Sequence, residues 1–230
     1  MPGGVSLPEM TGMPPERWVA VFAGGDPPPV EAVRWIPRES FVIAADSGLD
    51  HAHRLGYDAD LLVGDLDSVS LGASDRHEGE LEEYPENKDY TDLELAIAAA
   101  VRRANTVVVV GGHGGRLDHL LANAELLGDH RWAGAEILWL AGEDLATVVR
   151  HQATMRGRPG DLVSLVPLGG HAIGVTSAGL HWPLENATLA AGSTRGVSNR
   201  FVEAVAEVTV RQGVLLAIQP GAVLSGVPGV

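Results

Sequence analysis

The sequence predicts an α/β domain with a mostly parallel sheet, followed by an all-β domain. Up to about Leu140, short apolar runs alternate with segments of helical composition, and this alternation is typical of a parallel sheet with helices on both faces. From about Leu145 the segments are short, often alternate in polarity and are separated by Gly and Pro, which favours a small sandwich or barrel. The 230 residues suit one large or two small domains.

The elements of the first half follow from local composition. Thr91 is a good helix N-cap, with Glu94 three residues on completing the capping-box pattern. The stretch 71–83 is polar and is expected at the surface. Apolar runs predict strands at 18–23, 41–45, 61–63, 106–110 and 136–140, and helices are predicted at about 29–35, 49–55, from 91 onward, and 117–127.

Charge and composition exclude several classes of function. The net charge of -14 argues against nucleic acid as a partner and against an anionic membrane surface. The absence of cysteine excludes disulfides, thiolate nucleophiles and Cys-ligated zinc. Residues 1–17 look like a flexible leader without signal-peptide character, and no apolar run is long enough to span a membrane. A soluble cytoplasmic protein is expected.

Four aspartates stand where predicted strands end or where a helix begins. Asp65 and Asp67 share one side of the chain because side chains alternate with period two. Two close carboxylates repel each other, so a cation usually lies between them. A Gly-Asp-x-Asp-Ser run is also typical of an ordinary turn, but several polar strand ends at one sheet edge favour a site. The predicted magnesium ligands are Asp46, Asp65, Asp67 and Asp92.

Glycine-rich turns follow the first strand and the 106–110 strand. The turn at 111–116 lets backbone N–H groups approach an anion, with Arg116 as a bidentate phosphate partner. The next helix presents its N-terminus to the same anion, and Lys88 adds positive charge. This set fits a nucleotide-dependent transferase, since phosphoryl-type transfer depends mainly on positioning and charge neutralisation. The P-loop motif is absent and the dinucleotide fingerprint is incomplete.

Structural roles remain open for several of these residues. Asp89 and Asp92 could cap their helix. Asp118 and His119 could pair with Arg116 to stiffen the loop, and His113 could be a solvated loop residue.

Six motifs in order resemble the thiamine pyrophosphokinase family. They are ADSG at 45–48, LLVGDLDS at 61–68, KDYTD at 88–92, GGRLDH at 114–119, GLHWPLENATL at 179–189 and GSTRGVSN at 192–199. Each motif is weak alone, but their order along both halves of the chain is specific. Ser47 and His113 depart from the residues that family members often carry.

The resemblance implies a Rossmann-like α/β catalytic domain at 18–143 that binds ATP and Mg²⁺, and a β-sandwich thiamine-binding domain at 144–230. It implies a homodimer, with thiamine near the subunit interface, that transfers diphosphate from ATP to the thiamine hydroxyl and releases AMP. Asp46, Asp65, Asp67 and Asp92 would form the catalytic metal cluster. Lys88, Asp89, Thr91, Gly114, Arg116, Asp118 and His119 would bind ATP, and Ser198 and Asn199 would bind thiamine. Trp182 is a candidate stacking platform for thiamine, although a tryptophan in a β-domain is more often a core residue.

Three other functions remain open at this point. A magnesium-dependent phosphohydrolase would use the same aspartates without an acceptor. A diphosphokinase acting on a pterin alcohol would share the first domain, although Ser198 and Asn199 favour thiamine. A thiamine-binding sensor would leave the aspartates idle.

Overall fold

The computed structural model describes residues 18–65, 79–85 and 87–226. The predicted leader, Asp67 and the 71–78 part of the polar stretch lie outside these residues. The strands are β1 (Val19–Phe22), β2 (Phe41–Ala45), β3 (Leu61–Gly64), β4 (Glu80–Glu83), β5 (Thr106–Val110), β6 (Glu136–Ala141), β7 (Asp144–Val149), β8 (Gln152–Arg156), β9 (Leu162–Ala178), β10 (Ala187–Leu189), β11 (Asn199–Arg200), β12 (Val205–Thr209) and β13 (Gln212–Gln219). The α-helices are α1 (Gly48–Arg54), α2 (Asp92–Val101), α3 (Leu117–Leu127) and α4 (Ala222–Ser225), and 3₁₀ helices cover Val30–Trp35 and His130–Trp132.

The described strands form one mixed sheet of 13 strands in the order β4-β3-β2-β1-β5-β6-β7-β13-β9-β12-β8, with β10 and β11 paired to β9. The pairings from β4 to β6 are all parallel. The pairings from β6 onward are all antiparallel. The sheet is therefore parallel in its first part only, and it continues through the β6–β7 pair into the second half.

One predicted helix differs in type from the structure, and one strand of the structure was not predicted. The helix expected at about 29–35 is a 3₁₀ helix, which directly follows a run of three prolines. The stretch 71–83 was expected at the surface without an assigned element, and its end is the parallel edge strand β4. Its sequence, Glu-Leu-Glu-Glu, is mostly exposed, and charged side chains are common on edge strands because they discourage pairing with other chains.

The first strands bury both faces, which explains their continuous apolar sequence. In β1, Val19 and Val21 belong to one core cluster, while Ala20 and Phe22 belong to the cluster on the other face. The Ala- and Leu-rich helix α2 covers the first face. Residues of α1, of the Val30–Trp35 helix and of α4 cover the second face. Helices thus lie on both faces of the parallel part, as the alternation predicts.

The strand order reverses between β1 and β5. From β1 the chain continues to β2, β3 and β4 on one side, and β5 and β6 lie on the other. Backbone hydrogen bonds extend this pairing beyond the strand ends, since Ala23 N donates to Val110 O (2.9 Å), Gly112 N to Gly24 O (2.8 Å) and Asp26 N to His113 O (2.9 Å). Open parallel sheets form a crevice at such a reversal.

Arg150 connects the second half of the chain to helix α3. Its guanidinium donates to the carbonyls of Leu127 (3.0 Å), Gly128 (3.0 Å) and Asp129 (2.8 Å). The carbonyls at a helix C-terminus lack partners within the helix, and a cation there is favoured by the helix dipole. Glu125 adds a second connection by accepting from Gly169 N at 2.9 Å. The end of α3 is therefore held by residues from beyond β7.

Replacing Arg150 with Met should destabilise the fold. The change removes three charge-assisted hydrogen bonds, so we expect a loss of about 2–3 kcal/mol in the free energy of unfolding, measured by urea denaturation. Arg195→Met, at an exposed arginine of the same half, serves as the control and should change stability by less than about 0.5 kcal/mol. Equal stability of the two variants would contradict the assigned role of Arg150.

Candidate active site

A cleft of about 380 Å³ opens at the carboxyl edge of the parallel strands, where the strand order reverses. Residues after β1, β2 and β5 and the start of α2 form its walls. Its lining comprises Ala23, Gly24, Gly25, Ala45, Asp46, Ser47, Thr91, Asp92, Leu93, Gly112, His113, Gly114, Gly115, Arg116, His119 and Asn123. Several residues predicted from separate motifs thus meet in one place, including Asp46, Thr91, Asp92, Gly114, Arg116 and His119.

Three of the four predicted metal ligands meet around Gly64. This glycine has a φ of +152°, and a Cβ there would lie 3.2 Å from Asp92 Oδ1 and 3.3 Å from Asp46 Cβ. Asp46 itself adopts a φ of +49°, a conformation that non-glycine residues rarely take and that is enriched at functional sites. The absence of a side chain at Gly64 therefore lets Asp46 and Asp92 approach each other, with Asp65 next along the chain.

Lys88 bridges two of these carboxylates. Its Nζ lies 3.1 Å from Asp65 Oδ2 and 3.0 Å from Asp92 Oδ1, and only 5% of its side chain is exposed. Burial opposes the charge of this ammonium, but the two carboxylates prevail and raise the pKa of Lys88. Burial raises the pKa of the Asp92 carboxyl, against the opposing effect of Lys88. The structure thus places Lys88 between carboxylates.

The donor set fits a divalent cation. Carboxylate oxygens are the ligands that Mg²⁺ prefers, and the Lys88 ammonium between Asp65 and Asp92 marks a position that suits a positive charge. Among the described residues, no three His, Cys, Asp or Glu side chains are placed so that together they could hold a metal ion. Asp67, the fourth predicted ligand, lies outside the described residues.

The loop 111–116, here called the glycine loop, is held by two side chains that the sequence analysis did not identify. Trp139 Nε1 donates to Gly111 O at 2.7 Å, and the buried Asn123 donates through Nδ2 to Gly112 O at 2.8 Å. A polar residue in the interior of an Ala- and Leu-rich helix was the one available signal for Asn123. Both contacts fix the conformation of the loop beside the cleft.

Arg116 and Asp118 form an exposed ion pair at the start of α3. Arg116 Nε donates to Asp118 Oδ1 at 3.1 Å, and a second bond joins Nη2 to Oδ2. The hydrogen bonds from Arg116 lower the pKa of the Asp118 carboxyl to about 2. The loop-stiffening pair expected from the sequence is therefore present between Arg116 and Asp118, and the Arg116 guanidinium remains exposed beside the cleft.

Helix α2 begins as predicted. Thr91 is its N-cap and accepts a hydrogen bond from Glu94 N at 3.2 Å. The side chain of Glu94 pairs with Arg131 at 2.8 Å, so the structure shows the Thr91 half of the capping box. Asp92 follows in the first turn, and the neighbouring Asp89 is exposed.

The predicted thiamine residues lie outside the cleft lining, in the second half. Ser198 adopts a φ of +63°, and its N–H donates to Ser164 Oγ at 3.0 Å. Trp182 is 56% exposed and contacts His181 edge to face, with ring centroids 4.6 Å apart. Trp182 is therefore a surface aromatic.

The side-chain amide of Asn199 is engaged within the chain. Asn199 is buried; its Oδ1 accepts from Trp182 N (3.0 Å) and Arg200 N (2.8 Å), and its Nδ2 donates to Trp182 O (2.8 Å). Direct contact of this amide with thiamine stays a prediction. The three bonds favour an indirect role, in which Asn199 fixes the backbone that carries Trp182.

The fold and the cleft are typical of α/β proteins that bind a ligand beyond the carboxyl ends of parallel strands. Two family models match the chain: "Thiamin pyrophosphokinase, catalytic domain" over residues 33–138 and "Thiamin pyrophosphokinase, vitamin B1 binding domain" over residues 150–215. The two matches together span most of the sequence. The chain belongs to the thiamine pyrophosphokinase family, which confirms the resemblance seen in its motifs.

Individual relatives agree with this membership. Thiamine pyrophosphokinase 1 of Oryza sativa subsp. japonica is 26% identical over 171 residues, which are 68% of this chain and 64% of that protein, so the chain spans less than two thirds of that relative. The crystal structure of thiamine pyrophosphokinase from Bacillus subtilis has the same fold, with a TM-score of 0.78 at 22% identity over 89% of this chain and 99% of that chain. A family protein from Enterococcus faecalis gives a TM-score of 0.74 at 26% identity, covering 89% and 99%.

His113 provides a pH-dependent test of the cleft. Burial, supported by the nearby His51, lowers the pKa of its imidazole from the ordinary 6.5. The His113 imidazole therefore binds a proton more readily in the unfolded chain than in the folded one. The free energy of unfolding falls as the pH drops from above 6.5 toward the lower pKa that His113 has in the folded protein. Between pH values of about 7.5 and 5.5, we expect His113→Gln to lose less thermal stability than the parent chain. His53→Gln, at an exposed position, is the control, and equal losses in all three proteins would contradict this account.

Proposed function

We propose that this chain transfers a diphosphate group from ATP to the hydroxyl of thiamine, giving thiamine diphosphate and AMP, with Mg²⁺ required. The observation that carries the proposal is the meeting of Asp46, Asp65 and Asp92 at the carboxyl edge of the sheet, inside the region matched by the catalytic-domain model. The second model, for vitamin B1 binding, supports thiamine as the acceptor over a pterin alcohol or water.

The aspartates would hold the metal–nucleotide complex. Asp46, Asp65 and Asp92, with Asp67, supply oxygen ligands of the kind Mg²⁺ takes. When bound, the ion would neutralise phosphate oxygens and thereby make the β-phosphorus easier to attack. These residues lie at the parallel part of the sheet. They belong to the α/β catalytic domain that we propose for residues 18–143.

The glycine loop and the start of α3 would hold the phosphates. Trp139 and Asn123 fix the loop, whose glycines let the backbone approach a ligand closely. Arg116 is exposed beside the cleft and has the planar donor geometry that matches phosphate oxygens. Thr91, Gly114 and His119 line the same cleft, so we assign them to the ATP side, together with Lys88, Asp89 and Asp118.

In the proposed reaction, the hydroxyl oxygen of thiamine forms a bond to the β-phosphorus. The bond from that phosphorus to the oxygen bridging the α-phosphate breaks, and AMP leaves with the electron pair. The hydroxyl proton is released to solvent. Because this transfer requires no protein nucleophile, alignment and charge neutralisation by the residues above would supply most of the catalysis.

Thiamine would be bound by residues of the second half, which we propose as a β-sandwich domain at 144–230. The exposed Trp182 offers a flat apolar surface for an aromatic ring, and Ser198 stands beside Asn199 with its side chain exposed. We further propose a homodimer in the cytoplasm, with no nucleic-acid partner. No helix among the described residues is both long and apolar enough to cross a membrane.

The direct test is to incubate the protein with ATP, Mg²⁺ and thiamine and to resolve the products. We expect AMP and thiamine diphosphate together, only when all three components are present. Asp65→Asn should lower kcat about 100-fold or more, because a neutral amide is a poor magnesium ligand. Asp58→Asn, at an exposed aspartate, should retain full activity. Release of ADP or phosphate without thiamine would instead indicate a hydrolase.

Asn199 and Trp182 allow a double-mutant cycle on the acceptor side. Asn199→Ala should raise the thiamine KM about tenfold while the ATP KM changes little, because the backbone of Trp182 loses two hydrogen bonds and that of Arg200 loses one. In a Trp182→Ala background, the same change should have almost no further effect. Full additivity of the two changes would show that Asn199 acts on thiamine independently of Trp182.

A further inference from the structure

Lys88 has the least exposed side chain of the cations in the ion pairs of the described residues. Its side chain is 5% exposed, whereas the arginines in the other pairs are 18–71% exposed. Burying an ammonium is costly unless carboxylates compensate it closely, and Asp65 and Asp92 do so at 3.1 and 3.0 Å. The positive charge of Lys88 is therefore a fixed part of the carboxylate site.

The same contact has a consequence for the carboxylates. Asp65 and Asp92 would repel each other if no cation lay between them. The Lys88 ammonium, 3.1 Å from Asp65 Oδ2 and 3.0 Å from Asp92 Oδ1, reduces the negative potential at this point. A lone divalent cation approaching Asp65 and Asp92 therefore meets a weaker attraction than the two carboxylates alone would provide.

A metal–nucleotide complex experiences the opposite effect. Magnesium bound to a nucleoside triphosphate carries net negative charge, so the aspartates of the cluster repel its phosphates. The positive charge of Lys88 offsets part of this repulsion. One side chain thus acts in opposite directions on the free ion and on the complex.

We propose that Lys88 sets the preference of this site for the magnesium–nucleotide complex over free Mg²⁺, by weakening the binding of the ion alone and strengthening that of the complex. This inference rests on the proposed function for the identity of the nucleotide site. Lys88 would thus discriminate between the free ion and the complex, in addition to neutralising a polyphosphate, and this discrimination depends on its contacts with Asp65 and Asp92.

The test compares two affinities of the full-length protein and of Lys88→Met. Binding of Mn²⁺ alone is followed by the electron paramagnetic resonance of the free ion. Binding of α,β-methylene ATP with Mg²⁺ is followed by calorimetry, since this analogue cannot transfer its terminal diphosphate. We expect Mn²⁺ to bind about tenfold more tightly to Lys88→Met and the complex about tenfold more weakly. A purely structural role for Lys88 would weaken both, and that result would overturn the proposal.

Two further variants separate charge from fold. Lys88→Arg keeps the charge and should leave both affinities within about threefold of the parent values. Arg131→Met removes the same charge from another cation that bridges two carboxylates, Glu94 at 2.8 Å and Asp129 at 2.9 Å, and should change neither affinity. If Lys88→Met does not fold, Lys88→Gln provides the same comparison. Tighter Mn²⁺ binding by Arg131→Met equal to that of Lys88→Met would overturn the proposal.

Neither measurement involves thiamine or turnover. If thiamine diphosphate is not formed but the two affinities change in opposite directions, the proposed function fails and the role of Lys88 stands. If thiamine diphosphate is formed but the two affinities of Lys88→Met change in the same direction, the proposed function stands and the role of Lys88 is wrong. If the parent chain binds no metal–nucleotide complex at all, both are wrong.

Discussion

The parallel pairing of β1 with β5 is the interaction on which the cleft depends. Because the chain leaves β1 toward one side of the sheet and later returns to the other, the loops after these two strands lie at the same edge, where the strand order reverses. Backbone hydrogen bonds from Gly112 N to Gly24 O and from Asp26 N to His113 O join the two loops. Gly24, Gly25 and several residues of the glycine loop, which line the cleft, lie at this junction.

Electrostatic balance at the edge is the second constraint. The fold brings several carboxylates close together, which is unfavourable unless cations are present. Lys88 supplies one such cation from within the chain, and Arg116, which lines the cleft, is paired with Asp118. The overall charge of -14 makes such local compensation necessary for a polyphosphate ligand. A strongly acidic protein can therefore bind an anion when its few cations are placed at the site.

The two halves of the chain are mechanically connected. The sheet continues through the antiparallel β6–β7 pair, and Arg150 and Glu125 join the C-terminal end of α3 to the second half. The N-terminal end of the same helix carries Arg116 and Asp118 beside the cleft. In the proposed enzyme, one helix would thus contact both the nucleotide side and the acceptor domain.

Much of the fold could be predicted because local patterns and tertiary structure agree. The buried strands have continuous apolar sequences, and the neighbourhood of Asp46 and Asp92 follows from the meeting of strand ends and helix starts at one edge. The strand β4 could not be predicted, because its polar sequence lacks the apolar pattern and its partners, β3 and two arginines at the end of α2, are distant in sequence. Asn123, Trp139 and Asn199 act by bonding backbone groups distant in sequence, and composition does not reveal such partners.

The most direct test of the central claim is a crystal structure of the protein with Mn²⁺ and α,β-methylene ATP, in which the ion is located by its anomalous scattering. We predict that the ion is coordinated by carboxylate oxygens of Asp65 and Asp92 and by phosphate oxygens, and that the triphosphate lies along the glycine loop. An ion and triphosphate bound together elsewhere, with these aspartates uninvolved, would contradict the assignment of the cleft.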